Sequence, residues 1–266
     1  MGVKMKRYFE IYLKFLAQHL KRMLQYRSDF LIGAGSFLFI QASGILFMVL
    51  IFQQIPDLNG WSLTEMMFLY GYFQLPRGID HLLTDNIWLI PTKVRRGEID
   101  RYLLRPINPL FQLVIERFQI EAFGELIVGV ALMIYTIPLL NITLTFGTIA
   151  LGLLFIVLGA LIYTSIKLIT ASIGFWVINS MPIMTTVYNI ADFSKYPTTI
   201  FPKVIQYTVT YLIPFAFVSF LPATALLNRS NGLEILLGSV IAVSVLSIAA
   251  YRLWVLGLKS YQSVGS

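Results

Sequence analysis

The chain has 266 residues, of which 57% are hydrophobic and only 12% are charged, about half the charge of a typical soluble domain. This composition excludes an ordinary soluble domain, and the absence of cysteine excludes disulfides, thiolate metal sites and a cysteine nucleophile. The net charge of +7 comes mainly from residues before the first apolar segment and from one segment near residue 100, which indicates membrane topology rather than nucleic-acid binding.

Residues 5–28 are predicted to form an amphipathic helix that lies in the membrane interface. Leu13, Leu16 and Leu20 recur at helical spacing, and basic residues such as Lys14 lie on another face. This is the pattern of a helix whose apolar face rests in the headgroup region. Its expected role is either a basic anchor that fixes the topology or an element that docks against a partner.

Six apolar segments are predicted to cross the membrane as helices, because a spanning helix needs about 20 apolar residues. They are residues 31–52, 61–83, 118–140, 146–166, 168–190 and 234–254. The basic residues before the first span place the amino terminus in the cytoplasm. Lys167 is interpreted as the inside connection between the fourth and fifth spans.

Residues 206–227 allow two interpretations. They carry no charge and are long enough to cross, which would give seven spans and an outside carboxyl terminus. However, Pro214 and Pro222 divide the segment into two pieces, each too short to cross, and Arg252 and Lys259 favour an inside terminus. The preferred prediction is a re-entrant pair of helices at the outer surface before the last span. The residues predicted to form an outer gate there are Pro214, Phe215, Phe217 and Pro222.

A charged segment lies between the second and third spans, at residues 92–104. Pro91 can begin a helix and Pro106 would end it, so about four turns of continuous helix are predicted on the cytoplasmic side. A soluble partner could contact the mixed charges of this segment. The side chains predicted to do so are Lys93, Arg95, Arg96, Glu98, Asp100 and Arg101.

Six ionisable residues near the inner ends of the second and third spans are predicted to form a cluster. They are Arg77, Asp80, His81, Arg117, Glu121 and Glu125. Charge inside a membrane is costly and therefore indicates a function or a tight pairing. Arg117 and Glu121 are four residues apart and can pair along one helix. A structural ring of ion pairs is the favoured interpretation, and a proton or substrate relay is the alternative.

Sequence motifs of several enzyme classes are absent. There is no phosphate-binding loop of the G-x-x-x-x-G-K-[ST] type, no H-E-x-x-H and no G-x-S-x-G, and the only histidines are His19 and His81. The chain is therefore predicted not to be an enzyme, and no cofactor or metal is expected in it.

The order of these elements, together with three local sequences, resembles the ABC-2 type permeases, the membrane subunits of ATP-binding-cassette exporters. Residues 96–109 resemble the family's segment after the second span. Residues 213–223 resemble its outer re-entrant segment, and residues 254–266 resemble its carboxyl-terminal tail. The similarity covers most of the chain and points to a bacterial branch of the family.

The resemblance implies a permease subunit in the bacterial plasma membrane, with both termini in the cytoplasm. It implies two copies of a separate ABC ATPase subunit, which would bind ATP and Mg²⁺, and a second permease of the same or a different sequence. Membrane lipids would be further partners, and nucleic acid would not. Residues 92–104 would be the coupling helix, and residues 206–227 would form the outer gate. An ion-driven secondary transporter or a channel is the alternative function.

Overall fold

The computed structural model describes residues 27–116 and 122–262, together with the isolated positions 10–12, 14, 15, 17, 18, 21 and 119. Most of the predicted interfacial helix at residues 5–28 lies outside the described residues, as do Arg117 and Glu121. The described part of the chain is all-α, as predicted, and its only β-type pairing is an isolated bridge between Leu58 and Trp61.

Eleven α-helices occur in the described ranges. They are α1 Arg27–Phe52, α2 Leu63–Thr84, α3 Ile90–Arg95, α4 Asp100–Leu103, α5 Pro109–Ile115, α6 Ala122–Leu139, α7 Phe146–Ser172, α8 Met181–Ile190, α9 Lys203–Tyr207, α10 Phe220–Leu226 and α11 Gly232–Ser260. Short 3₁₀ helices and one π-helical turn connect them. The 3₁₀ helices are Asp85–Leu89, Ile173–Phe175, Ala191–Lys195, Thr198–Ile200 and Phe215–Phe217, and the π-helical turn is Thr208–Leu212.

Four helical stretches of the described residues are long and apolar enough to cross a membrane. They are Gly35–Phe52, Ala122–Leu139, Phe146–Phe175 and Gly232–Ser260. A bent pair, Lys203–Leu212 and Phe215–Leu226, has an angle of 74° and would make a fifth span if it crossed as one. The six predicted spans are thus not all recovered as apolar helices.

Helix α2 lies at the centre of the bundle, packed between α6 and α7. It is long enough to cross, with 22 residues, but Gln74, Arg77 and Asp80 make it less apolar than its neighbours. A Cβ built on Gly129 of α6 would come within 2.9 Å of the carbonyl oxygen of Gly71. The two helices therefore approach backbone to backbone, as small residues allow in membrane bundles. Burial among protein neighbours lets α2 carry polar side chains.

Local sequence explains where the long helices begin. Ser62 and Glu65 form a reciprocal capping box at the start of α2. The side chain of Thr145 accepts a hydrogen bond from the Thr148 backbone at the start of α7. The preceding turn contains Asn141 with a φ of 52°, a conformation that asparagine tolerates. Residues 140–145 therefore form a short turn between α6 and α7.

The predicted boundary between the fourth and fifth spans at Lys167 is wrong. Helix α7 continues unbroken to Ser172, and the Lys167 side chain is fully buried against Asp80. A basic residue in an apolar run was interpreted as a connection, whereas it is an ion-pair partner. The break falls instead at residues 173–180, after which α8 begins with Pro182 in its first turn. Residues 168–190 are therefore not one continuous helix.

The chain that follows α8 reaches the turn that precedes α2. The indole Nε1 of Trp61 donates a hydrogen bond to the Thr199 hydroxyl at 3.3 Å. The amide of Asn59 donates to the carbonyl oxygen of Thr199 at 3.1 Å. Residues 181–200 therefore extend from the start of α8 to the amino-terminal end of α2, although only part of this stretch is α-helical.

The segment after α10 also returns to the turn that precedes α2. The Arg229 guanidinium lies 2.5 Å from the Glu65 carboxylate and donates to the carbonyl oxygen of Gly60 at 3.2 Å. Between the two flanks, Phe215 is fully buried and packs against Tyr163 of α7, with 5.3 Å between the ring centroids. Residues 203–226 therefore leave one end of α2 and return to that same end.

Candidate functional site

The charged segment between α2 and α6 is not the continuous helix that its sequence predicts. It consists of α3 and α4, separated at Gly97, whose φ of 71° cannot continue a right-handed helix. The backbone N–H of Glu98 donates to the carbonyl of Lys93 at 2.9 Å, and that of Gly97 donates to Val94 at 3.1 Å. This pair of hydrogen bonds is a Schellman motif, which ends α3. We call residues 90–105 the island.

A cluster of charged and phenolic groups holds the two helices of the island to α5. The Lys93 ammonium donates to the Tyr102 hydroxyl at 2.8 Å and lies 3.1 Å from the Glu116 carboxylate. The Tyr102 hydroxyl in turn donates to Glu116, and Arg101 lies 2.8 Å from the same carboxylate. Glu98 adds longer ion pairs to Lys93 and Arg101. These contacts make the island a folded unit rather than a free loop.

The same contacts shift the pKa values of the cluster. Burial opposes ionisation of Glu116, but hydrogen bonds from Tyr102 and Lys93 outweigh it and hold the pKa of Glu116 below its ordinary value. Burial also disfavours the charged form of Lys93, yet the hydrogen bonds to Tyr102 and Glu116 raise its pKa. Both groups are therefore stabilised in their charged forms at neutral pH.

The underside of the island is apolar and packs onto the membrane helices. Ile99 and Tyr102 belong to one buried cluster with Leu113 of α5, Leu168 of α7 and Trp254 of α11. Ile99 is 1% exposed and Trp254 is 2% exposed. The island thus contacts α7 directly and shares a buried cluster with α11.

The island also has an exposed surface that is basic and partly apolar. Arg95, Arg96 and Arg101 are exposed, and Leu104 is 86% exposed. Among the other residues predicted to contact a partner, Glu98 and Asp100 are half-buried and Lys93 is buried. We call the exposed surface formed by Arg95, Arg96, Arg101, Leu103 and Leu104 the basic face.

A fully buried ion pair joins α2 to α7. The Lys167 Nζ lies 2.6 Å from the Asp80 Oδ2, and both side chains have no exposed area. The hydroxyls of Thr84 and Thr164 donate to the other carboxylate oxygen of Asp80 at 2.6 and 2.7 Å. Both oxygens of this carboxylate are therefore satisfied by protein groups, which is what a buried charge requires.

Tyr188 connects this pair to a second carboxylate. Its hydroxyl donates to Asp80 Oδ2 at 3.1 Å and faces the His81 Nε2 at 2.8 Å. The other ring nitrogen of His81, Nδ1, lies 2.9 Å from the Glu125 carboxylate on α6. Three helices, α2, α6 and α8, therefore meet around the His81 ring.

Arg77 extends the network toward the 3₁₀ helix after α8. Its guanidinium lies 3.5 Å from Glu125 and 3.3 Å from Asp192. Lys195 lies 3.5 Å from the second oxygen of Asp192. A chain of paired groups thus connects Lys167 to Lys195 through the interior of the bundle, and we call it the charge network.

The structure brings four of the six predicted cluster residues into the charge network. Arg77, His81 and Glu125 are in direct contact, and Asp80 joins them through Tyr188. The sequence reasoning missed the other members of the network, which are Lys167, Tyr188, Asp192 and Lys195. Lys167 gave a usable signal, since a single lysine within a long apolar run needs a buried partner. Tyr188 gave none, because its contacts depend on the irregular path after α7.

The predicted gate residues lie in the bent segment between α9 and α10. Pro214 and Phe215 are buried at its bend, and Pro222 is buried within α10. Phe217 lies against Gly238 of α11, where an added Cβ would come within 2.6 Å of the Phe217 ring. The hydroxyl of Ser219 donates to the carbonyl of Ser194. The segment is therefore packed against both α7 and α11.

These features define a class of protein. Several apolar helices surround a central helix whose charges are internally paired, and a folded charged unit lies between two of the helices. Among the described residues, no group of three or more His, Asp or Glu side chains could hold a metal ion. The arrangement is that of a multi-pass membrane protein with internally paired charge.

A family model described as "ABC-2 family transporter protein" matches residues 38–265. The chain therefore belongs to the ABC-2 transporter family and is a membrane permease component of an ABC transporter. Members of this family associate with an ABC ATPase and are generally not catalytic themselves. Neither the curated proteins nor the solved structures contain a significant match to the chain.

Proposed function

We propose that this chain is the permease subunit of an ATP-driven exporter, and that ATP hydrolysis by a separate subunit moves the island. The observation that carries the proposal is the two-sided construction of the island. Its basic face is exposed, with Leu104 at 86% exposure, whereas its underside is buried against α7 and α11. Exposed apolar side chains beside arginines are typical of a protein-binding surface.

The packing of the island gives a route for transmitting movement. Lys93, Tyr102 and Glu116 hold its two helices together, so a push on the basic face displaces the island as a unit. Trp254 lies in the same buried cluster and packs against Phe175 of the 3₁₀ helix that contacts α3, so the displacement reaches α11. Helix α7 receives it through Leu168 and is tied to α2 by the buried Lys167–Asp80 pair.

The proposed complex contains an ABC ATPase and a second permease protomer. Two copies of an ABC ATPase, carrying ATP and Mg²⁺, would dock on the basic faces of two permease protomers. The second protomer would be this chain or a different one. The basic face suits an ATPase surface with acidic and apolar groups.

The proposed topology has six crossings, with both termini in the cytoplasm of a bacterial plasma membrane. The fifth crossing would be residues 181–200, a partly α-helical stretch that extends from the start of α8 to the turn before α2. Residues 203–226 would enter from the outer side and return there as the outer gate. The hydrogen bonds of Thr199 with Asn59 and of Arg229 with Gly60 support this path, because both place a flank of the segment at the start of α2.

Charge reversal on the island tests the proposed coupling. Replacing Arg95 and Arg96 by Glu, and Glu98 by Lys, should uncouple transport from ATP hydrolysis while the protein still inserts into the membrane. The matched control reverses Arg252 and Lys259, which are exposed near the end of α11 and outside the island. Unchanged transport in the island variant, with normal ATPase coupling, would contradict the assignment.

The charge network is the observation that favours the alternative, an ion-driven transporter or channel. Its charges are nevertheless paired with one another, which supports a structural role. The substitution Glu125→Gln distinguishes a structural role of the charge network from an ion relay. The proposal expects fewer assembled complexes with unchanged transport per complex, measured by quantifying complexes in reconstituted vesicles. Normal assembly with selective loss of transport would support an ion relay instead.

A further inference from the structure

The side chain of Trp61 contacts the bent segment at residues 203–226 and both of its flanks. Its indole Nε1 donates to the hydroxyl of Thr199, which precedes the segment, at 3.3 Å. Its ring packs against Phe220 of α10, with 5.9 Å between the ring centroids. The guanidinium of Arg229, which follows the segment, lies over the same ring at 4.2 Å from its centroid. One side chain, which is 4% exposed, therefore contacts the entry, the interior and the exit of the segment.

Trp61 belongs to a closed turn that holds it in a fixed position. The backbone N–H groups of Leu58 and Trp61 each donate to the carbonyl of the other, at 3.0 and 3.2 Å. Between them, Asn59 and Gly60 have φ values of 54° and 79°, as in a two-residue type I′ turn. The N–H of Gly60 also donates to the Asp57 carboxylate at 2.9 Å. The Trp61 ring is therefore a fixed support against which the segment packs.

Arg229 joins the exit flank to this support through an ion pair at the surface. Its guanidinium lies 2.5 Å from Glu65 Oε1, and the side chains of Arg229 and Glu65 are 38% and 13% exposed. The other oxygen of Glu65 accepts hydrogen bonds from the backbone N–H and the hydroxyl of Ser62, both at 3.0 Å. Glu65 is thus fixed by its own helix cap. Water can replace it as the partner of Arg229, because partly exposed ion pairs are weak.

The two flanks are held by contacts of different kinds. Thr199 on the entry side accepts hydrogen bonds at its carbonyl oxygen from Asn59 and at its hydroxyl from Trp61. Its carbonyl is part of the backbone and cannot leave without moving the chain. Arg229 reaches the turn through one long side chain, so a change of rotamer releases it. The exit flank is therefore the one that can separate from the turn.

We propose that Arg229 is a latch that holds residues 203–226 closed through its contacts with Trp61 and Glu65. When the outer gate opens, Arg229 leaves both partners and Phe220 moves away from the Trp61 ring. This inference rests on the proposed outer gate. Arg229 is a positioning residue, because it acts through the segment that follows Thr199 rather than on a transported molecule.

Thiol labelling of the isolated full-length chain in nanodiscs tests the latch without an ATPase. The reporter is Ala225→Cys on α10, a position that is 8% exposed in a chain without other cysteines. Adding Arg229→Gln should raise its rate of reaction with N-ethylmaleimide about tenfold, because the ion pair and the cation–π contact are both lost. Arg229→Lys should give a rate between the two, since it keeps the charge but not the planar group that stacks on Trp61.

Two controls separate opening of the segment from general loosening. Arg252→Gln makes the same change at an exposed arginine of α11 and should leave the rate unchanged. A second reporter, Ala171→Cys, is fully buried under the island and should not respond to Arg229→Gln. An unchanged rate in Arg229→Gln, or an equal rise at both reporters, would overturn the proposal. Hydrogen exchange of residues 220–227 in Arg229→Gln decides the question if Ala225→Cys does not fold.

Spin labels test whether the latch opens during the ATP cycle. Gln54→Cys and Ser230→Cys place labels at exposed positions near the turn and on the exit flank. In the complex with its ATPase, ATP and vanadate should lengthen the distance between the labels and speed the reaction of Ala225→Cys. Faster labelling at an unchanged distance would overturn the proposal. If neither reporter responds to ATP, the proposed outer gate is wrong, whereas a labelling difference in the isolated chain would still establish the contact of Arg229 as a latch.

Discussion

At the residue scale, the interior of this permease is organised by pairing rather than by isolated charges. Asp80 receives an ammonium and three hydroxyl groups, and Glu125 receives both His81 and Arg77. Removing one partner of a buried pair leaves an uncompensated charge, which costs more than removing both partners. The single substitutions in this network are therefore expected to be more damaging than paired ones.

Lys167→Met should strongly destabilise the protein, because it leaves the fully buried Asp80 carboxylate without its cation. Breaking a buried pair in this way costs about 3–5 kcal/mol. Adding Asp80→Leu should recover part of the loss, since the double variant has no uncompensated charge. Thermal unfolding in mild detergent measures both effects. Lys195→Met, which removes a more exposed cation, is the control. A double variant less stable than Lys167→Met would refute the pairing argument.

The island should be most firmly folded between about pH 4.5 and 10.5, the ordinary pKa values of its carboxylate and ammonium. The lowered pKa of Glu116 means that its contribution is complete above 4.5 and is lost as the pH falls through its folded pKa. The raised pKa of Lys93 means that its contribution is complete below 10.5 and is lost above its folded pKa.

A spin label on Leu104→Cys measures this pH dependence, since the chain has no other cysteine. Mobility of the label should rise when the pH falls below the folded pKa of Glu116. In a Glu116→Gln background the label should already be more mobile at pH 7 and should respond less to acid. An identical acid response in the two proteins would show that Glu116 is not responsible.

At the element scale, the main departures from the sequence prediction are breaks in helices. The island breaks at Gly97, and the predicted fifth span breaks at residues 173–180. The first break could have been predicted, because glycine after a basic last turn is a common helix end. The second could not, because it depends on Phe175 packing against Gly257 of α11, a contact that sequence periodicity does not contain.

Gly97→Ala should loosen the island. An alanine in this left-handed conformation costs about 1–2 kcal/mol, so the Schellman motif between α3 and α4 should open more often. Hydrogen exchange of residues 93–103 should become faster. Gly147→Ala is the control, since an added Cβ near the start of α7 would meet only the Thr145 hydroxyl, at 3.8 Å. Unchanged exchange in Gly97→Ala would show that the positive φ does not hold the island.

Long apolar segments were sufficient to predict most of the long helices. The helices predicted from the spans at residues 31–52, 118–140 and 234–254 are observed as α1, α6 and α11 with modest changes of boundary. The candidate site was less predictable. Arg77, Asp80, His81 and Glu125 were recognised from charge in apolar sequence, but their partners lie on α7 and in residues 188–195. Such long-range contacts follow from packing rather than from local pattern.

At the scale of the whole molecule, the proposed topology depends on residues 203–226 returning to the end of α2 from which they leave. A reporter fused after Ser266 should therefore give a cytoplasmic signal, because an even number of crossings places both termini on the same, cytoplasmic side of the membrane. A reporter inserted after Asn141 should give an outside signal and serves as the control. An external signal from the fusion after Ser266 would restore a seven-span arrangement.

The central claim is that the island couples this permease to an ATPase. The most direct measurement is purification of the tagged chain in mild detergent from its native host, with identification of co-purifying proteins and an ATPase assay. The account predicts a bound ABC ATPase that is lost when Arg95, Arg96 and Glu98 are reversed and retained when Arg252 and Lys259 are reversed. An ATPase that stays bound and coupled after reversal of the island, or a chain that purifies alone under several mild conditions, would contradict it.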